Sequence, residues 1–325
     1  MRTIIIYVMR RSLPVVLASA LAITACGSGD SSGDDGSAPS IVVTHSVLGA
    51  IVSDLVLDSG EVTVLIPNGI DPHEWEPSAK DVEAINSATL VVANGFDLEE
   101  SLDDVLDSSE SPVFFAAEHI TPLDSADDHG HAHGDEHDYD SKTDADDHAH
   151  DDEHEHGEGD PHFWTDPLAV AEVVEHLSEE LATVGLDVSS RADVLIADLN
   201  SLDGEMSELL SVIPDEKRVM ITGHVSMAYF AAHYGFELLG SVVPNLSTSA
   251  EASAANLAEL KDVIADEGVS VIFAELGAPG DVVSALADET GVRVVVLPTH
   301  FVPEDGTYRS FLLALASQVR DALTA

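Results

Sequence analysis

Short apolar runs alternate with stretches of helical apolar spacing in two separate series along the chain. Such alternation restricts the fold to parallel sheets covered by helices, because parallel neighbours need crossover connections long enough to hold a helix. The first series places strands over residues 41–43, 62–66, 90–93 and 113–115, with helices over 47–57, 78–87 and 98–106. The second places strands over 219–222, 238–243, 269–273 and 292–297, with helices over 226–234, 253–265, 281–290 and 308–323. Between them lie a helix over 167–181 and a longer one over 189–212, closed by Pro214. The expected fold class is α/β: two similar lobes of parallel sheet with flanking helices, joined by one long rigid helix. The boundaries expected are 41–188 for the N-terminal lobe, 189–212 for the linking helix and 213–325 for the C-terminal lobe. No close sequence repeat joins the two series, which argues against a solenoid.

Charge narrows the function classes. Twelve Lys and Arg stand against 61 Asp and Glu, a net charge of -49, and such a chain repels nucleic acid and anionic lipid headgroups. Hydrophobic residues at 45% exclude full disorder. Sixteen histidines in this acidic background are the donor types that divalent metals bind. The single cysteine, Cys26, excludes an internal disulfide framework and any CxxC site.

The start of the chain reads as an export signal. Arg2, Arg10 and Arg11 accompany an apolar run over 13–23 with no acid in residues 1–25, the layout of a secretory signal peptide. No later stretch approaches the ~20 apolar residues of a membrane span. Ile23-Thr24-Ala25-Cys26 resembles a bacterial lipobox, which implies lipidation at Cys26, with residues 26–40 as a flexible tether. The body is therefore expected outside the cytoplasm, lipid-anchored to the outer face of the cell membrane or periplasmic, touching the membrane through its anchor alone.

Residues 124–160 break the αβ pattern. They hold 16 Asp and Glu and eight histidines, His129, His131, His133, His137, His148, His150, His154 and His156, with Tyr139 the one large apolar side chain. Such a segment cannot build a core and is expected as a disordered surface loop and an auxiliary, weak metal collector. The bland alternative is a solvated acidic linker with incidental histidines.

Four other histidines sit just past strand ends or before helices: His73, His162, His224 and His300. Two of them share an Asp-Pro-His turn, Asp71-Pro72-His73 and Asp160-Pro161-His162, where proline stiffens the backbone that presents the imidazole. Loops beyond the carboxyl ends of parallel strands converge on one crevice, so two lobes could bring four nitrogens to one tetrahedral Zn²⁺. Each histidine taken singly is as well read as a turn or core residue with satisfied hydrogen bonds; the repeated turn favours ligands. Trp75 and Trp164 beside them are read as packing residues. Metal affinity is expected to fall as pH drops through ~6.5, where imidazoles protonate.

The chain resembles the metal-binding solute-binding lipoproteins of ABC importers for zinc and manganese. The likeness rests on Asp71-Pro72-His73-Glu74-Trp75-Glu76-Pro77-Ser78, on residues 90–99, on Asp160-Pro161-His162-Phe163-Trp164-Thr165-Asp166-Pro167, on His224 with Tyr229-Phe230 and Tyr234-Gly235, and on Gly306-Thr307-Tyr308. It implies a metal held between two lobes, an acidic His-rich loop in zinc members, and delivery to a permease with a cytoplasmic ATPase by a monomer that is not an enzyme. It also implies that His73, His162 and His224 fill three ligand positions, with a nitrogen at the third favouring zinc over manganese. At the fourth, usually Asp, this chain departs: His300, then Glu275, then a water are the candidates, with Asp71, Glu74, Asp160 and Glu275 as supporting acids. The competing readings are a manganese-binding importer component, a zinc-dependent hydrolase using three histidines and a water, and a surface zinc buffer or adhesin. No HExxH and no positioned general base stand out to support the hydrolase.

Overall fold

A computed structural model describes residues 38–123, 159–275, 277 and 280–325. Residues 1–37, where an export signal and a tether beginning at Cys26 were expected, and the eight histidines from His129 to His156 lie outside the described residues. Each αβ series forms its own four-stranded, all-parallel sheet. The first comprises β1 (Ser40–His45), β2 (Glu61–Ile66), β3 (Leu90–Ala93) and β4 (Val113–Phe115), in the order β2-β1-β3-β4. The second comprises β5 (Val219–Thr222), β6 (Glu237–Ser241), β7 (Val271–Ala274) and β8 (Arg293–Val296), in the equivalent order β6-β5-β7-β8. In both, the chain leaves the first strand toward one edge and returns to start the third on its other side. That switch point, between the first and third strands, is where a parallel sheet opens a crevice at its carboxyl ends.

The helices are α1 (Ser46–Val56), α2 (Ala79–Ser87), α3 (Asp103–Asp107), α4 (Pro167–Thr183), α5 (Ser189–Leu210), α6 (Ala228–Tyr234), α7 (Ala254–Glu267), α8 (Gly280–Thr290) and α9 (Tyr308–Thr324). Both faces of each sheet are covered, as parallel sheets require. Helices α2 and α3 cover one face of the first sheet and α7 and α8 one face of the second. Between the two sheets runs a single apolar core built from α1, α4, α5, α6 and α9 together with β1, β3 and β7. Helix α5 buries Ala192, Leu195, Leu199, Leu202, Met206 and Leu210, a stripe at three- and four-residue spacing. Each of these leucines stabilises the fold by roughly 1.5–3 kcal/mol relative to exposure. Because this one core serves both sheets, large hinge motion would expose it.

The sequence expectations differ from the structure where local backbone geometry intervenes. The helix expected over 98–106 shrinks to a 3-10 turn, Glu100–Leu102, followed by α3, because Gly95, Phe96 and Asp97 all take left-handed φ values of 87°, 52° and 55°. Helix α5 stops at Leu210, two residues before the expected end, and carries Val194 on its outer side, 49% exposed. Asp160, counted with the insertion from sequence, belongs to the ordered turn that follows it. Among the described residues no helix is long and apolar enough to cross a membrane.

Candidate metal centre

The two Asp-Pro-His turns fold alike. In each the aspartate side chain accepts the backbone N–H of the histidine two residues on, at 3.1 Å for Asp71 to His73 and 2.9 Å for Asp160 to His162, closing an Asx turn that proline has already half-formed. The first turn continues as a 3-10 helix, Pro72–Glu74; the second leads to another, Phe163–Thr165, and then to α4, capped by Asp166 on the Leu168 N–H at 2.7 Å. Each turn is also held from the second half of the chain. The Thr248 hydroxyl donates to Asp71 at 2.6 Å, the Tyr308 hydroxyl donates to the Trp164 carbonyl at 2.8 Å, and the Trp164 indole donates to the Thr299 carbonyl at 3.1 Å. Gly277 abuts Asp71 so closely that a Cβ there would meet the carboxylate, which reserves the position for glycine.

His224 arrives from the second sheet, just past β5. Glu275, just past β7, accepts the backbone N–H groups of Gly223 and His224 at 2.9 and 3.3 Å and the Ser226 hydroxyl at 2.8 Å. One of its oxygens stands 3.5 Å from the His224 Nδ1, behind the ring. Glu275, weighed above as a donor to the ion, is thus occupied in fixing the His224 loop and points its charge at the rear of the imidazole.

His73, His162 and His224 converge, with one donor atom from each lying within 4.8 Å of the other two. Their ring centroids are 5.6, 5.8 and 5.1 Å apart. The Nε2 atoms of His162 and His224 face each other at 3.3 Å. Two imidazole nitrogens at 2.0–2.1 Å from a tetrahedral ion stand about 3.3–3.4 Å apart, so this pair already has the spacing of a zinc coordination edge. The His73 Nε2 is buried with no hydrogen-bond partner among the described residues.

Electrostatics prepare the rings as donors. Burial, followed by the neighbouring imidazoles, holds His73 down at about 2 and His162 well below the imidazole range, so both stay neutral. Burial raises Asp160 to about 7. Once ionised, Asp160 accepts the Nδ1–H of His162 at 2.6 Å, leaving Nε2 as an open lone pair; the nearer Glu275 oxygen stands 3.5 Å from the His224 Nδ1, which has no hydrogen-bond partner among the described residues. The His162 lone pair faces the His224 Nε2 in one buried space, where a cation can take both nitrogens once His224 carries its proton on Nδ1.

His300 lies outside this convergent set. It is 1% exposed, its ring is 5.6 Å from that of Trp164, and neither ring nitrogen has a partner among the described residues. Burial, followed by the neighbouring imidazoles of His162, His224 and His73, keeps it well below the imidazole range. Its backbone carbonyl accepts the Gly69 N–H at 3.0 Å, while Asn68 pairs twice with the main chain of Val302 at 2.8 Å, so the loops carrying His73 and His300 are joined across the cleft. Glu74 is exposed and takes no part.

Sequence reasoning passed over His45. It ends β1, is 2% exposed, meets the Asn94 side chain at 3.2 Å, lies against Trp164 with centroids 4.9 Å apart, and is lowered to about 4 by burial. The strand-end rule that selected His224 applies to it equally. His233 was also passed over: its two ring nitrogens meet Asp166 at 2.9 Å and Asp203 at 2.8 Å, tying α6 to the start of α4 and to α5.

A family model described as zinc-uptake complex component A, periplasmic (ZnuA), matches residues 41–322. The chain belongs to that family. Among ZnuA-family relatives, the high-affinity zinc uptake system protein ZnuA of Bacillus subtilis is 29% identical over 88% of this chain and 86% of its own. The manganese-binding lipoprotein MntA of Halalkalibacterium halodurans is 23% identical over 86% and 85%. The solved periplasmic zinc binding protein TroA from Treponema pallidum superposes with a TM-score of 0.70 at 25% identity, covering 88% of this chain and 99% of that one. The protein is accordingly the metal-binding component of a zinc-uptake system of the ABC type and works outside the cytoplasm.

Proposed function

We propose that His73, His162 and His224 seize Zn²⁺ through their Nε2 atoms in the crevice between the lobes of residues 41–188 and 213–325, and that His300 supplies the fourth nitrogen. The observation that carries this reading is the 3.3 Å approach of the His162 and His224 Nε2 atoms beside the buried, unpartnered His73 Nε2. His300 is assigned the fourth position because burying both ring nitrogens unpaired costs free energy that an ion would recover. An all-nitrogen shell suits zinc and disfavours manganese, which prefers oxygen, although one relative is named for manganese. Four filled positions also leave no site for an activated water, in keeping with a carrier that is not an enzyme. Asp160 and Glu275 behind the rings offset the charge of the ion.

The carrier is a monomer that presents its cargo to a permease driven by a cytoplasmic ATPase, held at the membrane by a lipid on Cys26. The shared core through α5 favours modest closure on loading. The histidines from His129 to His156 gather metal weakly ahead of the cleft. X-ray absorption at the zinc edge tests the shell: the wild type at one equivalent of zinc should give four imidazoles, and His300→Ala three with weaker binding. An unchanged coordination number and affinity in His300→Ala removes His300 from the shell.

A further inference from the structure

A second pair of histidines faces solvent on the N-terminal lobe, away from the cleft. His119 closes the 3-10 turn after β4, and His176 lies on α4, ten residues past its N-cap Asp166 and so about 15 Å along the helix from the cleft loop. Their ring centroids are 5.0 Å apart, close to the 5.1 Å of the His162–His224 pair in the cleft. Two imidazoles bound to one tetrahedral ion place their centroids about 5 Å apart, since each lies roughly 3.2 Å from the metal.

The surroundings favour a cation. The His119 ring is stacked on Phe114 at 4.4 Å with planes 3° apart, so it loses little freedom on binding. On α4 the sequence sets Glu172, His176 and Glu180 at one-turn intervals along one stripe. Burial, followed by the neighbouring His176, holds His119 below the ordinary imidazole range against the opposing pull of Glu118 and Glu180, which keeps it neutral as a donor. Glu172 is spoken for by the Thr121 N–H at 3.0 Å, which pins the chain after the turn against α4. His176 is exposed and His119 half-buried, leaving room for waters to complete a coordination shell.

We propose that His119 and His176, with waters completing the shell, form a second, peripheral site for zinc or a similar borderline divalent cation, weaker than the cleft and filled after it. Two imidazoles plus water suit such ions, while the open, partly hydrated position makes exchange fast.

The test uses the full mature chain and zinc alone as probe. Histidine carbethoxylation, read residue by residue by mass spectrometry, is followed as zinc rises past one equivalent. The cleft histidines should be protected at the first equivalent, and His119 and His176 together only beyond it. His176→Gln, an exposed position, should abolish zinc-dependent protection of His119. Protection of His119 that survives His176→Gln, or reactivity of both residues that zinc leaves unchanged, overturns the site. If the pair is protected and the cleft histidines never are, the pair stands and the cleft assignment fails.

Discussion

The two sheets have the same strand order, and at the switch point of each a histidine from the end of the first strand meets a polar residue from the end of the third. In the first sheet the pair is His45 with Asn94, 3.2 Å apart; in the second it is His224 with Glu275, 3.5 Å apart. Topology delivers both pairs, and the partner and the lid decide their chemistry. Asn94 is neutral and spends its amide on the Gly95 and Pro161 carbonyls, and Trp164 lies over the His45 ring, so that pair is structural. Glu275 carries a charge, and the front of the His224 ring is left open toward His162 and His73.

The sharpest break of this comparison is to delete each histidine. His224→Ala should weaken zinc binding more than about a hundredfold, beyond the 10–100-fold usual for an outer partner of a ligand. His45→Ala should change affinity less than about tenfold while lowering stability by roughly 2–3 kcal/mol through a lost buried contact and a cavity. Competition titration with a chromophoric chelator, alongside urea unfolding, reads both. Equal affinity losses would mean that the two switch points are not functionally distinct.

A smaller effect comes from the acids behind the rings. Asp160→Asn should cost more affinity than Glu275→Gln, both within about 10–100-fold, because the first stands 2.6 Å from its ring and the second 3.5 Å. Asp160 also sets the pH dependence. Its folded value of about 7 means that below neutrality the metal-free pair with His162 holds an extra proton, which zinc must expel. Affinity should therefore fall about tenfold per pH unit below that point, with close to one proton released per zinc at pH 6. The sequence alone put this fall at ~6.5 in the imidazoles; burial keeps His73 and His162 neutral and raises Asp160, so the Asp160–His162 pair takes up this proton as a unit. Calorimetry in buffers of different ionisation enthalpy counts the proton, and Asp160→Asn should release none.

The smallest effect concerns His233, which braces the start of α4, and with it the His162 loop, against α5. Hydrogen bonds to Asp166, set against partial burial, and the charges of Asp166 and Asp203 raise its pKa above the free imidazole value. Its contribution is therefore complete below ~6.5 and fades as pH rises through the folded value. His233→Gln should cost roughly 1–2 kcal/mol at pH 6 and less above neutrality. A cost independent of pH in thermal unfolding would mean that the ring bridges the carboxylates without its charge.

Much of the first half of the site was legible because it is local. In Asp71-Pro72-His73 and Asp160-Pro161-His162 the acid, the stiffener and the donor lie within three residues, and the Asx turn each forms needs no distant partner. His224 is different: its supporting acid is 51 residues away, and only the pairing of β5 with β7 brings Glu275 behind it. His45 went unread for the same reason, since its role depends on Asn94 and Trp164, far along the chain.

The sequence by itself determined the α/β class, the two series of strands, the acidic character and the stiff turns, because alternating apolar runs and proline act over a few residues. Only the tertiary structure decided which histidines meet, how deeply they are buried and which acids stand behind them. Those properties depend on burial and on distances of 2.6–3.5 Å between groups that the chain keeps dozens of residues apart or, as with Asp160 and His162, sets side by side without revealing how deeply they are buried.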